Sequence, residues 1–245
     1  MLNNQTNYPD DVAQQNTEIS DLLVEFAASS IRGTSIPDLP ILAPTLVHLE
    51  RLLNADVVDL AALTNVVRSD LGLTVYLIRI ARSADWVSGT VPRIAEIIVG
   101  LGIKHLKAIV HSVPVLRTQH GSPRVRACNR FWMHTQLTGL IAEELASHST
   151  NLNSDDAYLA GLVCQIGKLP RLLGWRIPEF ENANTETIGG TLALAWGFPP
   201  ILRQVIDGDL KPTSSELQSL RQVVTTAREW VQLLELVTDS NPVLR

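Results

Sequence analysis

Apolar residues return at helical spacing along almost the whole of this chain, and no stretch shows the strict alternation of a half-buried strand. In "PTLVHLERLLN", Leu46, Leu49, Leu52 and Leu53 share one face. In "VVDLAALTNVV", Leu60, Leu63 and Val67 do the same, behind a cap assigned to Asp56. "LGLTVYLIRIARS" is apolar almost all round, which predicts a central, buried helix. "VPRIAEIIVGL" is expected to open at Thr90 and Pro92, turn Ile94, Ile97, Ile98 and Leu101 inward, and stop at Gly102. Ile103, Leu106, Ile109, Val110 and Val113 then carry the stripe onward. "RFWMHTQLTGLIAEELASHS" is given a spine of Phe131, Leu137, Leu140, Ile141 and Leu145. Ser154, Asp155 and Asp156 signal the start of "DDAYLAGLVCQIGKL", since acidic residues favour a helix N-terminus. Two shorter helices, "TIGGTLALAWG" and "PILRQVID", precede a last long one beginning near Ser214. The predicted class is all-α.

A chain of 245 residues with 45% hydrophobic and 18% charged residues is long and apolar enough for a sizeable buried core. Its net charge of -5 argues against a general affinity for nucleic-acid backbones. Glu96 interrupts the most apolar run, "RIAEIIVGLGIK", well short of a membrane span. The opening "MLNNQTNYPDD" is polar and acidic, unlike a secretory leader, and Cys128 and Cys164 alone make no disulfide framework. These features predict a cytoplasmic location. Residues 1–20 read as a flexible polar tail, and 21–35 as a short helix and linker. A single domain follows over 36–240, with an N-terminal helical half at 36–116 and a second half at 125–240.

The order of segments resembles the HDOD family, a bacterial group related to HD phosphohydrolases. "IPDLPILAPTLVHLERLLN", "VVRSDLGLTVYLIRIARSADW" and "TVPRIAEIIVGLGIKHLKAIV" are similar to that family's N-terminal half. Its pattern there runs Leu-Pro, a short helix, D-x-x-L-T-x-x-x-L-R-x-A-N-S-A, and a helix ending A-I-x-x-L-G. Arg82 departs from it, standing where the family usually has Asn. "FWMHTQLTGLIAEELA", "DDAYLAGLVCQIGKL" and "LALAWGFPPILRQVI" resemble the HD-like second half. The resemblance implies an HDOD-type helical bundle acting as a signalling output or adaptor module. Such modules often accompany cyclase, phosphodiesterase or receiver domains, and this chain reads as a stand-alone copy.

Phosphate-ester hydrolysis on the related HD fold needs a divalent metal held by His and Asp, which activates water at neutral pH. By the resemblance, the first ligand position is His134 and the His-Asp pair is replaced by Cys164 and Gln165. The final Asp position, on a register through "TTAREW", falls on Arg228. Gln lacks the negative charge that holds Mg²⁺ or Mn²⁺, and an arginine repels them. The further histidines of many HD-type sites would fall near Thr185 and near Gly208 and Asp209, where none stands. The expectation is a dismantled metal site, with no cofactor and no enzymatic activity. Metal-dependent phosphohydrolase activity, or a nucleotide sensor using the same cleft, is the alternative. His134 and Cys164 could also form a nucleophilic pair, or Cys164 could be a small buried apolar residue. Lys168 keeps the "IGK" lysine, either as an anion contact or as a cation suited to a helix C-terminus.

One charge feature stands apart. Between Glu96 and Glu143 there is no acidic residue, although Lys104, Lys107, Arg117, Arg124, Arg126 and Arg130 lie within that span. Arg117, Arg124, Arg126 and Arg130 are expected in or beside a surface loop joining the two halves. They read either as a solvated face or as a docking site for an acidic protein partner.

Overall fold

The computed structural model describes residues 36–83, 93–116, 122–149, 151–206 and 214–240, with side chains to 236. The predicted tail, the short helix after it, Thr90, Pro92, Arg117, Gly208 and Asp209 lie outside the described residues. The fold is all-α, as expected, and its helices share one apolar core from Ile36 to Ala227.

The first half is a small cluster of α1 (Ala43–Leu53), α2 (Leu60–Arg68), α3 (Leu71–Ser83) and α4 (Ile94–Ser112). Helix α3 is its centre: every residue from Leu71 to Ala81 is buried, in keeping with its all-round apolar surface. Asp70 ties the helices together. Its carboxylate accepts from Leu42 N at 2.8 Å, Thr45 Oγ1 at 2.8 Å and Leu73 N at 3.1 Å, joining the start of α1 to the start of α3. Burial pushes the Asp70 carboxyl above its ordinary range, and these donors pull against that shift. Arg79, also buried, reaches Asp38 at 2.5 Å. Gly102 ends the first segment of α4 with φ 73°, and the helix resumes beyond this kink.

The second half is built on α5 (Pro123–Ser147) and α6 (Ser154–Val163), which pack together most extensively. A 3₁₀ turn at Ile166–Lys168 leads into α7 (Leu169–Leu173); α8 (Thr185–Ala195), α9 (Pro200–Ile206) and α10 (Ser215–Ser240) follow. Helix α8 ends in a Schellman motif. Phe198 N donates to Ala193 O at 2.9 Å and Gly197 N to Leu194 O at 3.1 Å, with Gly197 at φ 68°. Arg68 links the halves: its guanidinium meets Glu143 at 2.7 Å and lies 4.0 Å above the Tyr158 ring.

Three expectations need correction. Ile41–Leu42 and Val115–Leu116 pair as two short parallel strands, closing the ends of the first half; two residues are too few for alternation to show. The cap of α2 is Asp59, whose side chain accepts from Ala62 N at 3.0 Å, because Asp56 lies a full turn too early. Helix α6 starts at Ser154 as expected, and Asn153 caps it, accepting from Asp155 N and Asp156 N. The buried face of α5 is Cys128, Trp132, Thr135, Thr138, Gly139, Ala142 and Ala146, whereas Leu140 is exposed. Small residues face inward there because α6 crosses so closely. A Cβ on Gly161 would sit 2.8 Å from Gly139 Cα, inside any real contact.

Candidate functional site

The fold brings His134, Cys164, Gln165, Lys168 and Arg228 to one place, although they come from α5, the end of α6, the 3₁₀ turn and α10. Two glycines make this possible. Gly161 and Gly139 let α6 close onto α5, which sets Gln165 beside His134. Gly167 lets the "IGK" turn press on α8, where a Cβ would meet Thr185 O at 1.9 Å.

A chain of polar contacts runs through the site. Lys168 Nζ donates to Gln165 Oε1, and Gln165 Nε2 lies 3.1 Å from His134 Nδ1. Because the ammonium can only donate, it fixes the amide oxygen toward itself and the amide NH₂ toward the imidazole. His134 Nδ1 is then the acceptor, so its proton sits on Nε2, facing Glu235 Oε2 at 4.0 Å. Burial holds His134 below its ordinary pKa. Glu235 opposes this shift, while the charges of Lys168 and Arg228 reinforce it.

Cys164 is turned away from nucleophilic chemistry. Its thiol donates to Gly161 O at 3.2 Å, and burial pushes its pKa up to about 11, against the pull of Arg228 and Lys168. Nδ1 of His134 faces Gln165 and the Cys164 thiol faces Gly161 O, so the two do not form a base–thiol pair. Arg228 is half-buried, and its Nε has no hydrogen-bond partner. Among the described residues, no three of His, Cys, Asp or Glu gather in a way that could hold a metal ion.

Glu235 is the member of the site that the sequence reading missed. Its spacing of seven from Arg228 puts both on one face of α10, and that periodicity was the available signal. Of the four arginines in the basic segment, Arg124, Arg126 and Arg130 are exposed on the opening turns of α5 instead of in a loop. Pro123 at the first helical turn starts that helix seven residues before Arg130. Arg117 lies outside the described residues.

With the geometry in place, comparison gives the family. The HDOD domain profile matches residues 39–175, more than half of the chain, and the chain belongs to the HDOD family. The structure is similar to the MmoQ response regulator of Methylococcus capsulatus str. Bath, with TM-score 0.65 and 16% identity over 85% of this chain and 91% of that one. A second structure of that regulator matches with TM-score 0.61 and 16% identity, over 86% of this chain and 90% of the other. An HDOD domain protein from Geobacter sulfurreducens is 17% identical over 91% of this chain and 79% of its own, with TM-score 0.36. At such identities the likeness to the regulator concerns the fold. No curated protein matches the chain. Among the described residues no helix is long and apolar enough to cross a membrane.

Proposed function

We propose that the protein is a cytoplasmic, non-catalytic signalling module that works through protein contacts, its HD-type cleft serving structure instead of hydrolysis. The observation that carries this reading is the chain Lys168–Gln165–His134. Where an HD enzyme sets a His-Asp pair around a divalent ion, this cleft sets an amide between an imidazole and the protein's own ammonium. The chain thus fills the ligand position from within. Among the described residues Glu235 is the one carboxylate set against His134, and the charges of Lys168 and Arg228 oppose it, so the local charge disfavours a dication. Membership of the HDOD family, and the structural likeness to a response regulator, support a signalling role.

The test is metal analysis of the purified protein together with a hydrolysis screen in Mn²⁺ and Mg²⁺, using a cyclic dinucleotide and a chromogenic phosphodiester. The reading expects no stoichiometric metal and no turnover above buffer. Metal-dependent turnover that disappears on His134→Ala would overturn it.

A second reading, a sensor that binds an anionic nucleotide in the cleft without cleaving it, draws on Lys168 and the unpartnered Nε of Arg228. Calorimetric titration with cyclic dinucleotides separates the two. Heat that is lost on Arg228→Ala favours the sensor.

A further inference from the structure

Helix α5 carries a second pattern on the side turned away from its buried face. Arg130, Met133, Leu137, Leu140 and Glu144 follow one another at steps of three, four, three and four, the spacing of a coiled-coil seam. At 3.6 residues per turn all five lie within about 80° of one another, opposite Thr135, Gly139 and Ala142. Leu137 is half-buried and the other four are exposed.

Helix α10 widens this surface. Helices α9 and α5 both pack on α6, and all three pack on α10, so α6 lies between the other two. Arg221 marks the side of α10 toward α9 by donating to Gln204 O at 3.1 Å. Trp230 follows nine residues later, about half a turn round from Arg221, and so stands on the flank that borders α5. Leu233 and Leu234 lie beside it, and all three are exposed. Monomeric proteins rarely leave so many large apolar side chains together in water.

We infer that this two-helix face joins two copies of the chain across a two-fold axis, with α5 antiparallel to its counterpart. Charge selects both the partner and the direction. Arg130 closes one end of the apolar seam and Glu144 the other, each seven residues from Leu137. An antiparallel copy sets Arg130 against Glu144, and two-fold symmetry makes that pair twice. A parallel copy would set arginine on arginine and glutamate on glutamate. Within the chain Glu144 meets His148 at 3.2 Å, an exposed pair that holds the carboxylate only weakly. The area is also sufficient. Helix α5 has 25 residues, about 37 Å, and two neighbouring helices are roughly 20 Å wide. The face then covers about 700 Å² on each copy, and both together fall within the roughly 1,200–2,000 Å² of a stable interface. The inference goes beyond the adaptor reading and does not rest on it.

The experiment is sedimentation equilibrium of the full chain at micromolar concentration, which should give twice the mass of one chain. R130E and E144R each set like charges against one another at two symmetric places, and each should raise the dissociation constant by about tenfold or more. The double exchange R130E/E144R carries both charges in the opposite order and should restore the native affinity, which separates a lost contact from a lost fold. Met133→Glu should also weaken the dimer, whereas Leu194→Glu, an exposed apolar position on α8, should leave it unchanged. A chain that sediments as a monomer overturns the inference. A dimer indifferent to R130E and E144R, or one that the double exchange fails to restore, does the same, as does equal weakening by Leu194→Glu. The adaptor reading fails separately, on metal-dependent turnover by the native protein.

Discussion

Gln165 donates its amide hydrogen to Nδ1 of His134, 3.1 Å away, and so decides which imidazole nitrogen carries the proton. That single contact makes the cleft a closed polar chain instead of an open ligand set. Protonating His134 would place two donors face to face, and turning the amide over would aim its NH₂ at Lys168.

His134 should therefore be neutral at pH 7, as the Nε2–H tautomer, and titrate below 6.5. The unfolded chain takes up this proton first as pH falls, so His134 contributes stability above about 6.5 that is lost as pH drops through its folded pKa. Two-dimensional ¹H–¹⁵N spectra of the imidazole give both tautomer and titration. Gln165→Glu should reverse the pattern, because a carboxylate accepts from Nδ1–H and raises the histidine pKa. A Nδ1–H tautomer in the native protein would remove the polar chain from the account.

Restoring only the missing pair, with Cys164→His and Gln165→Asp, should not create phosphodiesterase activity. Lys168 and Arg228 would remain as cations in the cleft, and the last carboxylate would still be absent. Assays in Mn²⁺ should show turnover no higher than the native protein. Turnover by the double variant would refute the register that sets Arg228 at the fourth ligand position.

Asp156 opens α6, where a helix N-terminus would normally favour its charge. Burial, with Glu216 and Asp155 nearby and Arg93 opposing, instead pushes its pKa up to about 6. The folded protein takes up this proton before the unfolded chain does, so stability falls as pH rises from about 4 to 6 and then levels off. Asp156→Asn should raise the melting temperature at pH 7.5, and the gain should shrink to nothing near pH 4. An unchanged or lower melting temperature at pH 7.5 would show that the charge is well solvated.

Trp196 closes α8 and is 1% exposed, whereas Trp230 on α10 is 50% exposed. Trp196→Ala should cost about 3–5 kcal/mol through lost burial and the cavity left behind. Trp230→Ala should stay within about 0.5 kcal/mol, as surface changes usually do. Chemical denaturation of both variants makes the comparison. Equal losses would mean that α8 is not anchored through its tryptophan.

How much of this could be read from the residues depends on the kind of signal each leaves. Large apolar stripes announce α3 and the first segment of α4, and Gly102 announces where that segment stops, because each follows from one residue type at one spacing. The site positions His134, Cys164, Gln165, Lys168 and Arg228 were reached through a motif, and they do converge. What remained hidden was carried by small or polar residues. Asp70 and Arg79 fall inside the quoted family pattern, yet their partners Thr45 and Asp38 lie in a different segment, and only folding makes the pairing visible. Thr135, Thr138, Gly139 and Ala142 carry too little hydrophobicity to mark a buried face, whereas the larger Leu140 marks one and is exposed.

The crossing of α5 and α6 is where that hidden signal matters most for the site. Gly161 lies one turn before Gln165, and Gly139 little more than one turn after His134, so the spacing of the helices there sets the spacing of the polar pair. A methyl group on Gly161 would stand 2.8 Å from both Gly139 Cα and Thr138 O, against backbone that cannot swing aside. Gly161→Ala should thus force the helices apart and cost about 1–3 kcal/mol, the usual range for overpacking. It should also lengthen the Gln165–His134 contact, admit water, and move the His134 titration up toward 6.5. Thermal melts and the same imidazole spectra read the two effects independently. A variant with an unshifted His134 and a native melting temperature would show that the crossing is loose, and the polar chain would then owe its geometry to something other than these two glycines.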